Sequence, residues 1–292
     1  MKVLEKYQKE ITSAIEKHLE QMGEDSALRR ACSYSLFSGG KRIRPAMTLM
    51  MCDALGKGGD AMPSAIGIEF FHTASLIADD MPSMDDDDVR RNMPTLHKKF
   101  GDGVALLASY VLISAGYETI SLNVSRLMDL QASFSKEAAK RGILALENAT
   151  RNTGLEGATG GQLLDLMPGE PNLNQIKEII HKKTSSLFEI ALVYGWLFGG
   201  GDIDKLPLVT EAARHFGLAF QLVDDLSDQE QDSKNGRIVN IANRFGQKLA
   251  IELFHEEQSG FKLKMKELGV YSKEFKSLID ELDPLTKLSF KI

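Results

Sequence analysis

Cysteine is almost missing from this chain: Cys32 and Cys52 are the only two in 292 residues, and no histidine stands near them at metal-ligand spacing. A disulfide framework and a zinc site are therefore not expected. A basic surplus is missing too, with 35 Lys+Arg against 41 Asp+Glu and a net charge of −6, so nucleic acid is not an expected partner. The first twenty residues alternate charged and isolated apolar positions and lack the continuous apolar core of a signal peptide. The most apolar run, 187–198, contains Glu189 and is shorter than the roughly 20 residues that cross a bilayer. No membrane span and a reducing, cytoplasmic location are the expectations. At 43% hydrophobic and 26% charged, the composition suits a folded globular chain and excludes disorder as the main state.

Sustained two-residue alternation is also scarce. Apolar residues recur instead at three- and four-residue intervals, as in Val3, Leu4, Tyr7, Ile11, Ile15 and Leu19. Glycines gather between these stretches, where helices end. The pattern predicts helices near 2–21, 25–37, 42–56, 61–81, 103–121, 136–153, 157–166, 173–198, 205–231 and 240–267, and hence an all-α protein. Segments 103–115 and 185–198 are apolar nearly all round and belong in the interior of a large bundle. No linker, low-complexity tract or fixed repeat divides the chain, so 1–292 is read as a single domain, with the tail 259–292 forming surface helices.

Two acidic clusters stand out. The first runs from Asp79-Asp80 through Met81-Pro82-Ser83-Met84 to Asp85-Asp86-Asp87-Asp88, followed by Val89-Arg90-Arg91. Six carboxylates within ten residues, set between an apolar helix and another expected helix, require compensation, and a divalent cation with oxygen ligands such as Mg²⁺ supplies it. On an unbroken helix Asp79 and Asp85 would point to different faces. Pro82 ends or kinks the helix and allows Asp85 to fold back towards Asp79. The second cluster, Asp224-Asp225-Leu226-Ser227-Asp228, puts Asp224 and Asp228 at i and i+4 on one helical face, roughly 6 Å apart by rise.

Basic residues occur in compact sets that could face those carboxylates: Gly39-Gly40-Lys41-Arg42-Ile43-Arg44-Pro45, Arg90-Arg91 and His181-Lys182-Lys183-Thr184. Each offers a grip for a diphosphate, through arginine forks, lysine point charges and a glycine-flanked helix start. A nucleotide-binding P-loop is excluded, because Arg42 follows Gly40-Lys41 where Ser or Thr is needed and Ser35 stands where the motif starts with glycine.

Together with His72-Thr73-Ala74-Ser75-Leu76-Ile77, Pro94-Thr95-Leu96-His97, Gly160-Gly161-Gln162-Leu163-Leu164-Asp165-Leu166 and Phe220-Gln221, these motifs over roughly 35–250 resemble the trans-isoprenyl diphosphate synthase (polyprenyl synthetase) family. The four-residue spacer Met81-Pro82-Ser83-Met84 resembles the short-chain bacterial and plastid type. The resemblance implies the isoprenoid synthase fold, a helical bundle around a central cavity, and a homodimeric prenyltransferase. It implies about three Mg²⁺ ions per active site, held by Asp79, Asp80, Asp85, Asp224 and Asp228 with Asp225 beside them. It implies isopentenyl diphosphate and an allylic diphosphate as substrates. Arg90, Lys183, Thr184 and Gln221 match the family's allylic site, and Lys41, Arg44, His72 and Arg91 its isopentenyl diphosphate site. Asp79, Asp80, Asp85, Lys183 and Asp224 are the implied catalytic residues. His97 is read as a structural histidine. Ala74 and Ser75, about one turn before Asp79, are expected on the pocket wall. Their small side chains favour geranylgeranyl diphosphate as product, with farnesyl diphosphate next.

Several positions depart from the family. Ala78 stands where a histidine is usual, and Ser109-Tyr110 where Gly-Asp is usual. After Asp228 the customary Lys-x-Thr-Tyr-Pro is missing, with Lys234 and Arg237 as the candidate replacements. Two alternatives follow: a catalytically weak regulatory subunit of a heteromeric synthase, and a class I terpene cyclase. Intact aspartate motifs argue against the first. The Gly-Gly-Lys-Arg-Ile-Arg-Pro grip, which a cyclase does not need, argues against the second.

Overall fold

The computed structural model describes residues 2–167, 169–234 and 238–283. The helical period translates into α1 (Glu5–Gln21), α2 (Ala27–Leu36), α3 (Ile43–Leu55), α4 (Met62–Asp79), α5 (Leu96–Phe100), α6 (Asp102–Asp129), α7 (Ala138–Thr153) and α8 (Ala158–Leu166). The second half adds α9 (Leu173–Ile180), α10 (Ser186–Phe198), α11 (Leu206–Ser227), α12 (Gln229–Lys234), α13 (Ile241–Phe245), α14 (Gln247–Glu267) and α15 (Lys273–Asp280). The all-α expectation holds. One small addition is a hairpin of β1 (Val89–Arg90) and β2 (Met93–Pro94), antiparallel with Val89 opposite Pro94.

Local chemistry sets the helix starts. Ser26 caps α2 by accepting from the Arg29 N–H at 3.2 Å, and Asn172 and Gln175 form a reciprocal capping box on α9. Pro63 and Pro207 occupy the first turns of α4 and α11, where a missing N–H costs nothing. Between α9 and α10 the helix does not stop: His181–Ser185 form one π turn, so 173–198 is a continuous rod with a bulge.

The interior expectation holds for α10, every residue of which is buried. It fails for the 103–115 stretch. Helix α6 runs to Asp129 and buries one stripe of small residues, including Ala105, Ala108, Ala115 and Gly116, against α4 and α2. Its other side leaves Leu106, Leu107, Tyr110 and Ile113 exposed. An apolar periodicity that goes all round a helix cannot tell a core from a face covered by something else. By length and composition α6 could also cross a membrane, with mean hydropathy 1.4 over its most apolar window, 44% of which is buried.

The tail is likewise less superficial than expected. Phe261, Met265, Phe275, Leu278 and Ile279 of α14 and α15 are fully buried. A line of aromatic contacts ties them to the centre: Phe275 to Phe261 (6.1 Å), Phe261 to Phe216 (5.2 Å), Phe216 to Phe188 (4.9 Å). The Arg44 guanidinium lies over Phe188 at 4.3 Å and ends the line. Truncating Phe216 should break this line in its middle, so Phe216→Ala should lower the unfolding free energy by about 3–5 kcal/mol in urea titration. A loss under about 1 kcal/mol would show that the line carries little of the stability.

Candidate active site

Helix α4 delivers the first aspartates. It ends at Asp79, and the chain then turns tightly, with the Met84 N–H donating to the Met81 carbonyl (2.9 Å) and the Asp85 N–H donating back to the Asp79 carbonyl (2.9 Å). That return is the one expected from Pro82. Asp80 is buried and accepts from Arg90 Nε at 2.6 Å, while the same guanidinium reaches Asp87 at 3.6 Å. The β1–β2 turn holds Arg91 and Asn92 at positive φ, as a two-residue hairpin turn requires. All four non-glycine residues at positive φ among the described residues, Arg42, Asp86, Arg91 and Asn92, belong to the loops around this cluster. Such backbone costs of order 1–3 kcal/mol per residue and gathers at functional sites.

The hairpin aims Arg91 at the glycine loop. Its guanidinium donates to the Gly39 carbonyl, and a Cβ on Gly40 (φ +119°) would lie 2.6 Å from Nη1. Gly40 thus makes room for an arginine. Beside it, Arg42 is buried in a pair with Glu69 and the Leu36 carbonyl, so this member of the basic run is structural. Arg44 Nη1 lies 3.4 Å from His72 Nε2. Burial, then Arg44 and Arg91, hold the His72 imidazole well below its ordinary value, so it is a neutral hydrogen-bonding group at pH 7. Burial lowers Arg44 to about 10, still a cation at neutral pH. Lys41 is exposed on the same loop, its carbonyl accepting from Gln8 Nε2 at 2.8 Å.

The π turn presents Lys183 and Thr184. Lys183 pairs with Asp165 of α8, and Thr184 Oγ1 donates to Gln221 Oε1 at 2.9 Å. Gln221 Nε2 in turn donates to Asp225 (3.0 Å), which also accepts from the Ile241 N–H (2.8 Å). Gly161 seats α8 against the turn: a Cβ there would be 2.3 Å from the Lys183 nitrogen. Asp224 is half-buried and Asp228 exposed at the end of α11, one turn apart, with the Asp228 N–H donating to the Asp224 carbonyl at 2.9 Å. Asn240, fully buried, donates to the Asp225 carbonyl (3.0 Å) and to Asp232 (2.8 Å).

The electrostatics join the two sides. Burial pushes the Asp79 carboxyl up to about 6; Lys183 and Arg90 pull it down while Asp85 and Asp80 add to the rise. Burial likewise pushes Asp225 up to about 7, against the hydrogen bonds from Gln221 and Ile241. Asp224 is felt by Arg44 across the site. These carboxylates are an all-oxygen, crowded donor set, which fits a hard divalent cation such as Mg²⁺. Among the described residues the one acidic group whose ligand atoms already lie within 4.8 Å of one another is Asp86, Asp88 and His97, outside the predicted ligand set, and there Asp88 pairs with Lys98 at 2.7 Å. His97 is buried with Nδ1 3.2 Å from Thr95 Oγ1, as a structural histidine would be.

Below Asp79 opens a cavity of about 580 Å³. Arg44, His72, Asp79, Lys183 and Thr184 contribute polar groups to its lining, and Phe71, Ala74, Leu106, Ile113, Leu163 and Leu187 contribute apolar wall. Ala74 and Ser75 are on its wall, as their spacing predicted. Tyr110, Gln162 and the α6 residues also line it, and the sequence reading gave none of them a role. For Gln162 and Asp165 a signal existed, since they stand three apart on one face of the Gly160–Leu166 motif. Lys234's side chain and Arg237 lie outside the described residues.

A helical cavity protein with facing acidic and basic clusters is the class that this architecture defines. Residues 25–240 match the polyprenyl synthetase family. Over 230 residues the chain is 36% identical to the heterodimeric geranylgeranyl pyrophosphate synthase large subunit 2 of Arabidopsis thaliana, covering 76% of this chain and 58% of that protein. It is 36% identical over 224 residues to the farnesyl diphosphate synthase of Geobacillus stearothermophilus, covering 75% of this chain and 72% of that one. The chain therefore spans less than two thirds of the length of the Arabidopsis relative. The crystal structure of a geranyltransferase from Legionella pneumophila superposes with a TM-score of 0.82, covering 98% of this chain and 97% of that one, at 24% identity, which supports the fold. This chain belongs to the polyprenyl synthetase family.

The raised carboxyl of Asp225 has a measurable sign. A carboxyl whose ordinary value is 3.8 and whose folded value is about 7 keeps its proton in the folded chain while the unfolded chain releases it. Its contribution to stability falls as pH rises between those values. Asp225→Asn removes that slope, so in chelator-treated protein the stability of the variant relative to the parent should rise between pH 5 and pH 8 in urea titrations. A constant difference would mean that Asp225 is ionised throughout.

Proposed function

We propose that this chain is a trans-prenyltransferase that joins isopentenyl diphosphate to an allylic diphosphate, with geranylgeranyl diphosphate the favoured product and farnesyl diphosphate next. The observation that carries this reading is the polarity of the cavity. Asp79, Lys183, Arg44 and His72 line one cavity together with walls that are mostly hydrocarbon, which matches a molecule with a diphosphate head and a prenyl tail.

Asp79, Asp80 and Asp85 on one side and Asp224 and Asp228 on the other would hold Mg²⁺, with Asp225 supporting α11 through Gln221 and Ile241. An ion held by these carboxylates would supply Lewis-acid neutralisation of the departing diphosphate. Arg90, Lys183 and Thr184 gather the allylic diphosphate, with Gln221 fixing the Thr184 hydroxyl. Lys41, Arg44 and Arg91 supply positive charge for isopentenyl diphosphate, and neutral His72 a hydrogen bond. The allylic C1–O bond breaks with its electron pair leaving on pyrophosphate. The double bond of isopentenyl diphosphate gives its pair to C1 through C4, and a proton then leaves to pyrophosphate. No protein nucleophile takes part. Ala74 and Ser75, small and on the wall, leave room for a long chain.

The exposed apolar side of α6, continuous with the cavity wall at Leu106, Tyr110 and Ile113, favours a second copy of the chain as its cover. A heteromeric assembly is the second reading, favoured by the name of the Arabidopsis relative, a large subunit of a heterodimeric synthase.

The test is purified protein with Mg²⁺, isopentenyl diphosphate and each of the C5, C10 and C15 allylic diphosphates, with products separated by length. The proposal expects condensation by the chain alone and a loss of about 100-fold or more in kcat for Asp79→Asn. Condensation only when another synthase is added would favour the heteromeric reading, and none under any condition would overturn the activity. Ala74→Tyr should shorten the product by at least one five-carbon unit; an unchanged distribution would remove Ala74 from the wall that sets length.

A further inference from the structure

Helix α11 ends at the second aspartate group, and the last carbonyls of a helix have no partners within it. One of them is met from 15 residues further along the chain. Asn240, fully buried, donates through Nδ2 to the Asp225 carbonyl (3.0 Å) and to Asp232 Oδ2 of α12 (2.8 Å). Its Oδ1 accepts from the Asn243 N–H (2.8 Å) and caps α13. Both amide hydrogens and the amide oxygen are thus engaged, and three helices meet on one short side chain. The next residue adds a bond to the same place, from the Ile241 N–H to Asp225 Oδ2 (2.8 Å).

The consequence falls on Asp224 and Asp228. The Asp228 N–H donates to the Asp224 carbonyl (2.9 Å), and the Asp232 N–H donates to the Asp228 carbonyl (2.8 Å), so the three aspartates ride on one backbone ladder. Asp228 is exposed and stands between the two points that Asn240 holds, three residues after Asp225 and four before Asp232. Where its carboxylate points is set by a backbone pinned on both sides. Asp225 itself faces inward, with its carboxylate taken by Gln221 and the Ile241 N–H.

We propose that Asn240 is a positioning residue of the prenyl transfer, which aligns Asp224 and Asp228 for the ions that carry the diphosphate. This rests on the function proposed above. The geometry needs two donors and one acceptor on a short arm, which asparagine supplies. Aspartate would set a third carboxylate against Asp225 and Asp232 with no donor among them, and serine would cap α13 but bring a single donor. Groups that hold the ligands of an ion without touching it change its affinity by about 10- to 100-fold when removed. Asn240 forms and breaks no bond in the reaction.

The experiment compares the parent with Asn240→Ser, which keeps a capping oxygen for α13. Asp232→Ala, at a half-buried position on α12, removes one arm of the grip and serves as the second variant should the first fail to fold. Ser26→Ala, which removes the cap of α2 on another part of the chain, is the control for lost stability alone. Three quantities are read: the thermal midpoint of the metal-free protein, calorimetric affinity for pyrophosphate with Mg²⁺, and kcat with KM for isopentenyl diphosphate. Asn240→Ser should lose about 10-fold or more in pyrophosphate affinity and in kcat, with KM for isopentenyl diphosphate within about twofold. Asp232→Ala should shift the first two in the same direction by about threefold or more. Ser26→Ala should lower the midpoint and move neither. A folded Asn240→Ser with a lower midpoint but pyrophosphate affinity and kcat within about twofold of the parent would overturn the positioning role, as would unchanged affinity in Asp232→Ala where Asn240→Ser does not fold. An equal loss of affinity in Ser26→Ala would overturn it as well. An inactive parent that binds pyrophosphate with Mg²⁺ would overturn the proposed function, while the affinity comparison would still decide the role of Asn240. A parent that binds no pyrophosphate would overturn both.

Discussion

A half-buried cluster of carboxylates that reaches the cavity at Asp79 is the constraint around which the rest of this protein is arranged. Burial and the neighbouring Asp85 and Asp80 keep the Asp79 carboxyl near 6, even with Lys183 and Arg90 beside it. Those two cations are shared: Lys183 also serves Asp165, and Arg90 also serves Asp80 and Asp87. The protein's own charges therefore compensate the site only in part, which is the condition for strong and selective binding of a divalent cation together with an anion. Arg44 of α3 and Arg91 of the hairpin form a second positive group. Burial lowers both guanidiniums without discharging Arg44 at neutral pH, and burial, then Arg44 and Arg91, lowers His72.

The scaffold spends unusual geometry to hold these groups. A π turn inside the 173–198 rod swings Lys183 and Thr184 to the cavity, and Gly161 lets α8 sit against that turn. Thr184, Gln221, Asp225 and the Ile241 N–H form a hydrogen-bonded relay from the turn into α11 and α13, with Asn240 beneath it. The aromatic line from Phe275 to Phe188 supports α11 from behind and meets Arg44 at its far end. A change in the C-terminal helices can thus reach the site through contiguous packing.

Much of this was legible in the residues. The 3.6 period placed nearly every long helix, because apolar spacing reports burial on one side. Pro82 announced the return of Asp85 to Asp79, since proline's limits on its neighbour are local and independent of tertiary context. The charge motifs located both acidic groups. What stayed hidden depends on distant contacts. The π turn differs from an α-helix by one inserted residue and has no side-chain signature in His181–Ser185. The all-round apolar character of α6 looked like interior because an apolar residue reads the same in the sequence whether the core covers it or leaves it exposed, as it leaves Leu106, Leu107, Tyr110 and Ile113. The tail looked superficial because its Lys and Glu outnumber Phe261, Phe275 and the other anchors that decide its packing.

The central claim is that the two aspartate groups act as one unit on a diphosphate. Calorimetric titration of pyrophosphate with Mg²⁺ into the parent, Asp79→Asn, Asp224→Asn and the double variant tests it as a double-mutant cycle. If the groups share the bound ions, either single change should cost at least about tenfold in affinity and the second should cost much less once the first is made. Losses that multiply in the double variant, or a single change without effect, would contradict the account.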